Sequence, residues 1–122
     1  MASFTNFATL SYNGGTTNSN TVTGELLETL TAAKTAVTPA YTAGENVTYA
    51  VSLVNTGTAP LTGVTVTDDL GRYAVGANTV YPLAYVNGSV KYYVNGVLQA
   101  APTVTAGPPL TVTGLSIPAG GN

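Results

Sequence analysis

The chain has 122 residues, three Lys or Arg against five Asp or Glu, a formal net charge of −2, and neither Cys nor His. That composition excludes thiolate nucleophiles, disulfides, imidazole acid–base catalysis and thiolate or imidazole metal sites. With so few cations no basic patch can neutralise phosphates, which argues against nucleic acid as a partner.

No apolar run reaches the roughly 18 residues of a membrane-spanning helix. The start, MASFTNFATL, has neither the basic beginning nor the continuous apolar stretch of a secretory signal. Thr, Val, Ala, Gly and Asn are abundant, the residues of strands and tight turns. The exposed face must then consist largely of hydroxyls and amides, a surface suited to side-by-side packing and to a structural role.

The first predicted element is a hairpin within residues 1–30, spelled TNFATLSYNGGTTNSNTVT. Its leading arm is Phe4–Tyr12 and its trailing arm Asn20–Leu26, with Phe7, Leu10, Val22 and Leu26 as apolar anchors. Leu26, Leu27, Glu28, Leu30 and Ala32–Ala33 would tolerate a helical turn around Glu25–Leu30. The β-branched Thr29, Thr31, Thr35, Val37 and Thr38 favour strand.

Residues 31–122 read as a second unit. In ENVTYAVSLVN, Val47, Tyr49, Val51 and Leu53 fall on one face and Thr48, Ala50 and Ser52 on the other. Asn55 is expected to cap its own turn, and Gly57 to take a positive φ. Val64 and Val66 alternate with Thr65 and Thr67. Asn87-Gly88 and Asn95-Gly96 predict two-residue turns joining strands Val80–Val86, Val90–Val94 and Val97–Gln99, with Pro82 pushing part of the first to an edge. A last strand covers Leu110–Ile117. Short strands at regular spacing predict an all-β chain, an antiparallel β-sandwich of immunoglobulin-like type.

The stretch KTAVTPAYTAGENVTYAVSLVNTGTAPLTGVTVTDDL, continued by YVNGSVKYYVNG and LSIPAGG, resembles the conserved repeat domain of bacterial and archaeal surface proteins, domain of unknown function number eleven. The resemblance spans residues 31–122 and, more loosely, extends to clostridial surface and spore-appendage proteins. It implies an Ig-like sandwich, tandem arrays on walls, sheaths or appendages, and no catalytic activity. In the family, one further strand and a terminal hairpin follow the IPAG turn, and the pattern of that hairpin stands here at residues 5–23. Three readings follow. The hairpin completes its own sandwich, the next subunit's sandwich, or the chain is a piece of a longer protein.

Lys34 is similar in place to lysines that form internal isopeptide bonds in surface sandwich domains, with Asp68 or Asp69 as the acid and Asn18 or Asn20 as the amide. The alternative is a lysine whose head group snorkels into solvent. Asp68-Asp69 offers oxygens to a hard cation, but adjacent strand residues point to opposite faces, so a solvated strand end is preferred. Tyr81, Tyr85, Tyr92 and Tyr93 could form a glycan platform, or divide between core and surface. No catalytic residue, metal site or cofactor is expected.

The resulting expectation is a non-enzymatic building block of an extracellular surface layer, sheath or spore appendage. It joins copies of itself or tandem sibling domains by β-hairpin completion. The alternative is an adhesin that binds glycan through its tyrosines.

Overall fold

A computed structural model describes residues 2–122. The described chain is all-β: thirteen strands form six small antiparallel sheets, one of three strands and five of two. The period-2 alternation and the scarcity of helical periodicity predict that class.

β1 (Ala2–Asn6), β2 (Thr9–Tyr12), β3 (Gly15–Asn18) and β4 (Val22–Leu26) make one long ribbon, β1 pairing with β4 and β2 with β3. Across its break Ser19 N donates to Ala8 O at 2.7 Å, and Ala8 N donates to Ser19 Oγ at 2.9 Å. Ser19–Thr21 on the trailing arm oppose only Phe7–Ala8 on the leading arm, so the trailing arm carries a bulge.

Only Leu27–Thr29 separate the ribbon from β5 (Leu30–Ala36). No helical turn forms there. The chain is strand on both sides, as the β-branched threonines favour.

β5 pairs along its whole length with β6 (Tyr49–Asn55). β7 (Leu61–Asp68) leads to the hairpin of β8 (Tyr73–Val75) and β9 (Asn78–Val80), then to that of β10 (Tyr93–Val94) and β11 (Val97–Leu98). β12 (Thr103–Thr105) and β13 (Leu110–Ile117) complete a three-stranded sheet ordered β12-β13-β7. β13 covers the span the sequence predicts.

The β7–β13 ladder holds two irregularities. Between Val66↔Val112 and Val64↔Leu115, β13 carries one extra residue; between Val64↔Leu115 and Leu61↔Ile117, β7 carries one. Each interruption contains a glycine at positive φ, Gly114 at 75° and Gly63 at 65°, a conformation that a Cβ strongly disfavours.

Three sequence expectations are corrected. The strand expected over Val80–Val86 stops at Val80. Pro82 has no N–H for a ladder and packs against Gly71, while Leu83 N donates to Leu70 O at 3.3 Å, so the segment straps onto the turn after β7. Asn87-Gly88 joins no strands. Only Gly88 has positive φ (74°), Ser89 N closes the turn on Val86 O at 3.1 Å, and of Val90–Val94 only Tyr93–Val94 is strand. Asn95-Gly96, at φ 48° and 81°, does make the expected two-residue hairpin. Finally, Gly57 is not at positive φ. A Cβ there would lie 3.1 Å from Thr29 and from Asn55 Oδ1, so close approach accounts for the glycine.

Among the described residues the buried apolar side chains are Leu70, Leu115 and Ile117, joined by the fully buried Asn55. Asn55 Nδ2 donates to Ala59 O at 2.8 Å, Pro118 O at 3.2 Å and Ile117 O at 3.3 Å, while its Oδ1 accepts Gly57 N at 2.9 Å. The accessible surface is 8906 Å². A compact chain of this mass exposes about 6,100 Å². The chain therefore exposes roughly 2,800 Å² more than that scaling gives.

Candidate assembly site

Cross-strand partners in a ladder share a face. In the first half of the ribbon Phe4 lies opposite Gly24, and Val22 and Leu26 flank that glycine on the same face. A Cβ on Gly24 would fall 2.3 Å from the Phe4 ring, so the glycine lets the ring lie flat across the trailing arm. Ser3, Thr5, Thr23 and Glu25 take the other face. In the second half Leu10 and Tyr12 share a face, and Thr9, Ser11, Thr16 and Asn18 share its reverse, where Thr9 Oγ1 donates to Asn18 Oδ1 at 2.9 Å.

The ribbon is therefore amphipathic, and its apolar face is uncovered. Phe4 is 63% exposed and Leu10 62%; Tyr12, Val22 and Leu26 on that face are also more than half exposed, as is Phe7 in the break between the two halves. The sequence-named anchors Leu10, Val22 and Leu26 lie in strands, and Phe7 lies in the break. Phe4 was not among those anchors, because its place over Gly24 depends on a register that residue types do not reveal.

The body has a matching deficiency. Leu30, Ala32, Lys34 and Ala36 of β5 share a face with Asn55, Leu53, Val51 and Tyr49 of β6. Two bonds orient that face toward the three-stranded sheet: Asn55 to the Ile117 carbonyl, and Lys34 Nζ to Asp68 Oδ2 at 2.5 Å. Yet Val51 remains 44% exposed and Tyr49 38%. β6 packs on β13, and the Lys34–Asp68 pair places β5 on the β7 side of that contact.

Lys34 and Asp68 are brought together, and the ammonium also lies 4.3 Å over the Tyr49 ring. Partial burial pushes the Asp68 carboxyl up, but hydrogen bonds from Lys34 and from Leu70 N, together with the lysine charge, outweigh it and hold the group below its ordinary value. The pair is thus an ion pair. Amide formation would need a neutral amine and a protonated acid. Asn20 lies in the break of the ribbon, where its carbonyl accepts Ser19 Oγ at 2.8 Å; Asn18 faces Thr9.

The acidic pair turns the chain. Asp68 Oδ1 accepts Leu70 N at 2.8 Å and Asp69 Oδ1 accepts Gly71 N at 3.0 Å, two successive Asx turns. Among the described residues no group of three metal-ligating side chains occurs.

Of the tyrosines, Tyr92 and Tyr85 spend their hydroxyls on the main chain of Ser116 and Gly88. Tyr81 and Tyr93 are exposed. Tyr85, Lys91, Tyr92 and Gln99 line an open cleft of about 340 Å³.

Comparison with protein-family models, with curated proteins and with solved structures finds no match.

Proposed function

We propose that this chain is a non-enzymatic building block of an extracellular surface layer, sheath or spore appendage, an Ig-like sandwich that joins copies of itself or tandem sibling domains by donating its N-terminal ribbon. The observation that carries the reading is the uncovered apolar face of a two-stranded ribbon, Phe4, Leu10, Tyr12, Val22 and Leu26, beside a body whose own inner face is half-open. An isolated hairpin is marginal in water, and an open edge with exposed apolar residues invites another strand. Strand addition satisfies both, since main-chain hydrogen bonds supply affinity and alternate side chains supply specificity. The resemblance of residues 31–122 to surface repeat domains supports the same setting.

The test is light scattering of the full chain across concentration. Oligomers that grow with concentration are expected, and a monomer at every concentration refutes the reading. The glycan-binding alternative draws on the cleft lined by Tyr85, Lys91, Tyr92 and Gln99. It predicts a monomer retained on polysaccharide.

A further inference from the structure

Taking strand donation as the premise, we infer that the receiving site is the outer edge of β7, and that its occupant is the ribbon of a second copy of this chain. The leading arm runs antiparallel along Leu61–Asp68, with the apolar face turned beneath β5.

The exposed inner face of β5 and β6 selects the sheet. A strand added beyond β5 or β6 would lengthen their own sheet and leave Tyr49, Val51 and Leu30 with nothing opposite. Only an addition to the facing sheet β12-β13-β7 covers them. That sheet ends on one side in β12, three residues long. Where β12 stops, the Tyr92 hydroxyl bonds both main-chain groups of Ser116 and occupies the edge of β13. On the other side stands β7, eight residues long, and among the described residues no main-chain hydrogen bond reaches its outer edge. Lys34 of β5 reaches that strand at Asp68.

Side-chain sizes agree. On the inner face of β5 Ala32 and Ala36 flank Lys34, leaving space, and the ribbon presents Phe4, Leu10, Tyr12, Val22 and Leu26. Its polar face, with Ser3, Thr5 and Thr9, would continue the exposed face of β7, where Thr65 and Thr67 stand. Burying the ribbon suits the area available. From Ala2 to Leu26 it supplies one side of a standard interface, roughly 20–30 residues and 800 Å² per partner. A copy that both gives and receives buries about 1,600 Å² on that measure, within the excess surface the chain exposes.

The bulge at Ser19–Thr21 assigns the arms. A bulged strand belongs at an outer edge, where it discourages further pairing, so the regular leading arm takes the inner place. That arrangement also selects a second copy over the same chain. Leu30 pairs with Asn55, at the end of the body where β7 begins. With the leading arm antiparallel to β7, the trailing arm finishes at the opposite end. Leu27–Thr29 span about 10 Å at most, whereas β7 is about 26 Å long. A neighbour's ribbon meets no such limit, and a head-to-tail contact of this kind need not close.

The absence of cysteine makes the test clean. One population carries Thr65→Cys or Thr67→Cys on β7, a second carries Thr5→Cys or Thr9→Cys on the leading arm, and the two are mixed under mild oxidation. Comparison mixtures use Ala50→Cys or Ser52→Cys on β6, and Thr23→Cys on the trailing arm. All these positions are exposed, and an unchanged circular dichroism spectrum checks each variant. A disulfide-linked heterodimer between β7 and the leading arm is expected, with none from the β6 or trailing-arm mixtures. Linkage through β6 or through Thr23→Cys overturns the edge or arm assignment and leaves strand donation standing. Assembly without any linkage overturns the assignment too. A chain that stays monomeric by light scattering removes the premise itself.

Discussion

Tyr92 turns its phenol oxygen onto the main chain of Ser116, donating to the carbonyl at 2.6 Å and accepting the N–H at 2.9 Å. One side chain so replaces the strand that would otherwise lie beside the end of β13. Tyr92→Phe keeps the ring and removes this closure. The expected loss is about 0.5–1.5 kcal/mol in chemical denaturation, with added aggregation on heating because a strand edge is opened.

Asn55 is where β6, the following turn and the end of β13 meet. Asn55→Ala removes the side-chain donor from Ala59 O and Ile117 O and the acceptor from Gly57 N–H at a fully buried position, while Pro118 O keeps its bond from Gly121 N. A destabilisation of about 2–4 kcal/mol is expected from unsatisfied buried groups. Asn55→Asp should be worse at neutral pH, because a carboxylate has no proton to offer those carbonyls. Urea melts of the two variants rank them, and a milder Asn55→Asp would refute this account of the bonding.

The Lys34–Asp68 pair links acid sensitivity to one carboxyl. Its folded value is depressed, so its stabilisation is present in full above the unfolded value, about 3.9, and is lost as pH falls through the folded value. Lys34 is 42% exposed, so solvent screening limits the contribution to about 0.5–1 kcal/mol. Thermal melts near neutrality and below pH 4 should show a smaller acid-induced drop for Asp68→Asn than for the parent chain. Equal drops would mean that the pair carries no net stabilisation.

Phe4 and Gly24 should act on assembly and leave the body alone. Phe4→Ala removes an anchor worth about 1.5–3 kcal/mol when fully buried, roughly ten- to a hundredfold in association. Gly24→Val should do likewise by displacing the ring. Sedimentation velocity reads the association, and the denaturation midpoint of the body should not move.

Much of the strand layout is legible in the sequence because alternation is a local signal. β13 and the Asn95-Gly96 hairpin rest on residue preferences alone. Val80–Val86 misleads for a physical reason: the apolar and aromatic residues favour strand, but Pro82 finds a partner in Gly71, eleven positions earlier in the chain. The same holds for Gly57, whose requirement is set by Thr29 across a strand pair. Of the site, Lys34 is paired in the sequence with Asp68 or Asp69 through the likeness to isopeptide-forming domains, and the choice of Asp68 depends on how two sheets face each other. Phe4 owes its place over Gly24 to a register fixed by pairing.

The two offset glycines of the β7–β13 ladder have a consequence for how this chain tolerates change. Each glycine confines its extra residue to a bulge: Leu115 stays opposite Val64 and Ile117 opposite Leu61, so the buried face is kept beyond each interruption. Neither strand depends on the other for its phase. Deleting Gly114 alone should close one bulge and still give a cooperative fold, whereas Gly114→Val, which keeps the extra residue but disfavours its positive φ, should lower the denaturation midpoint.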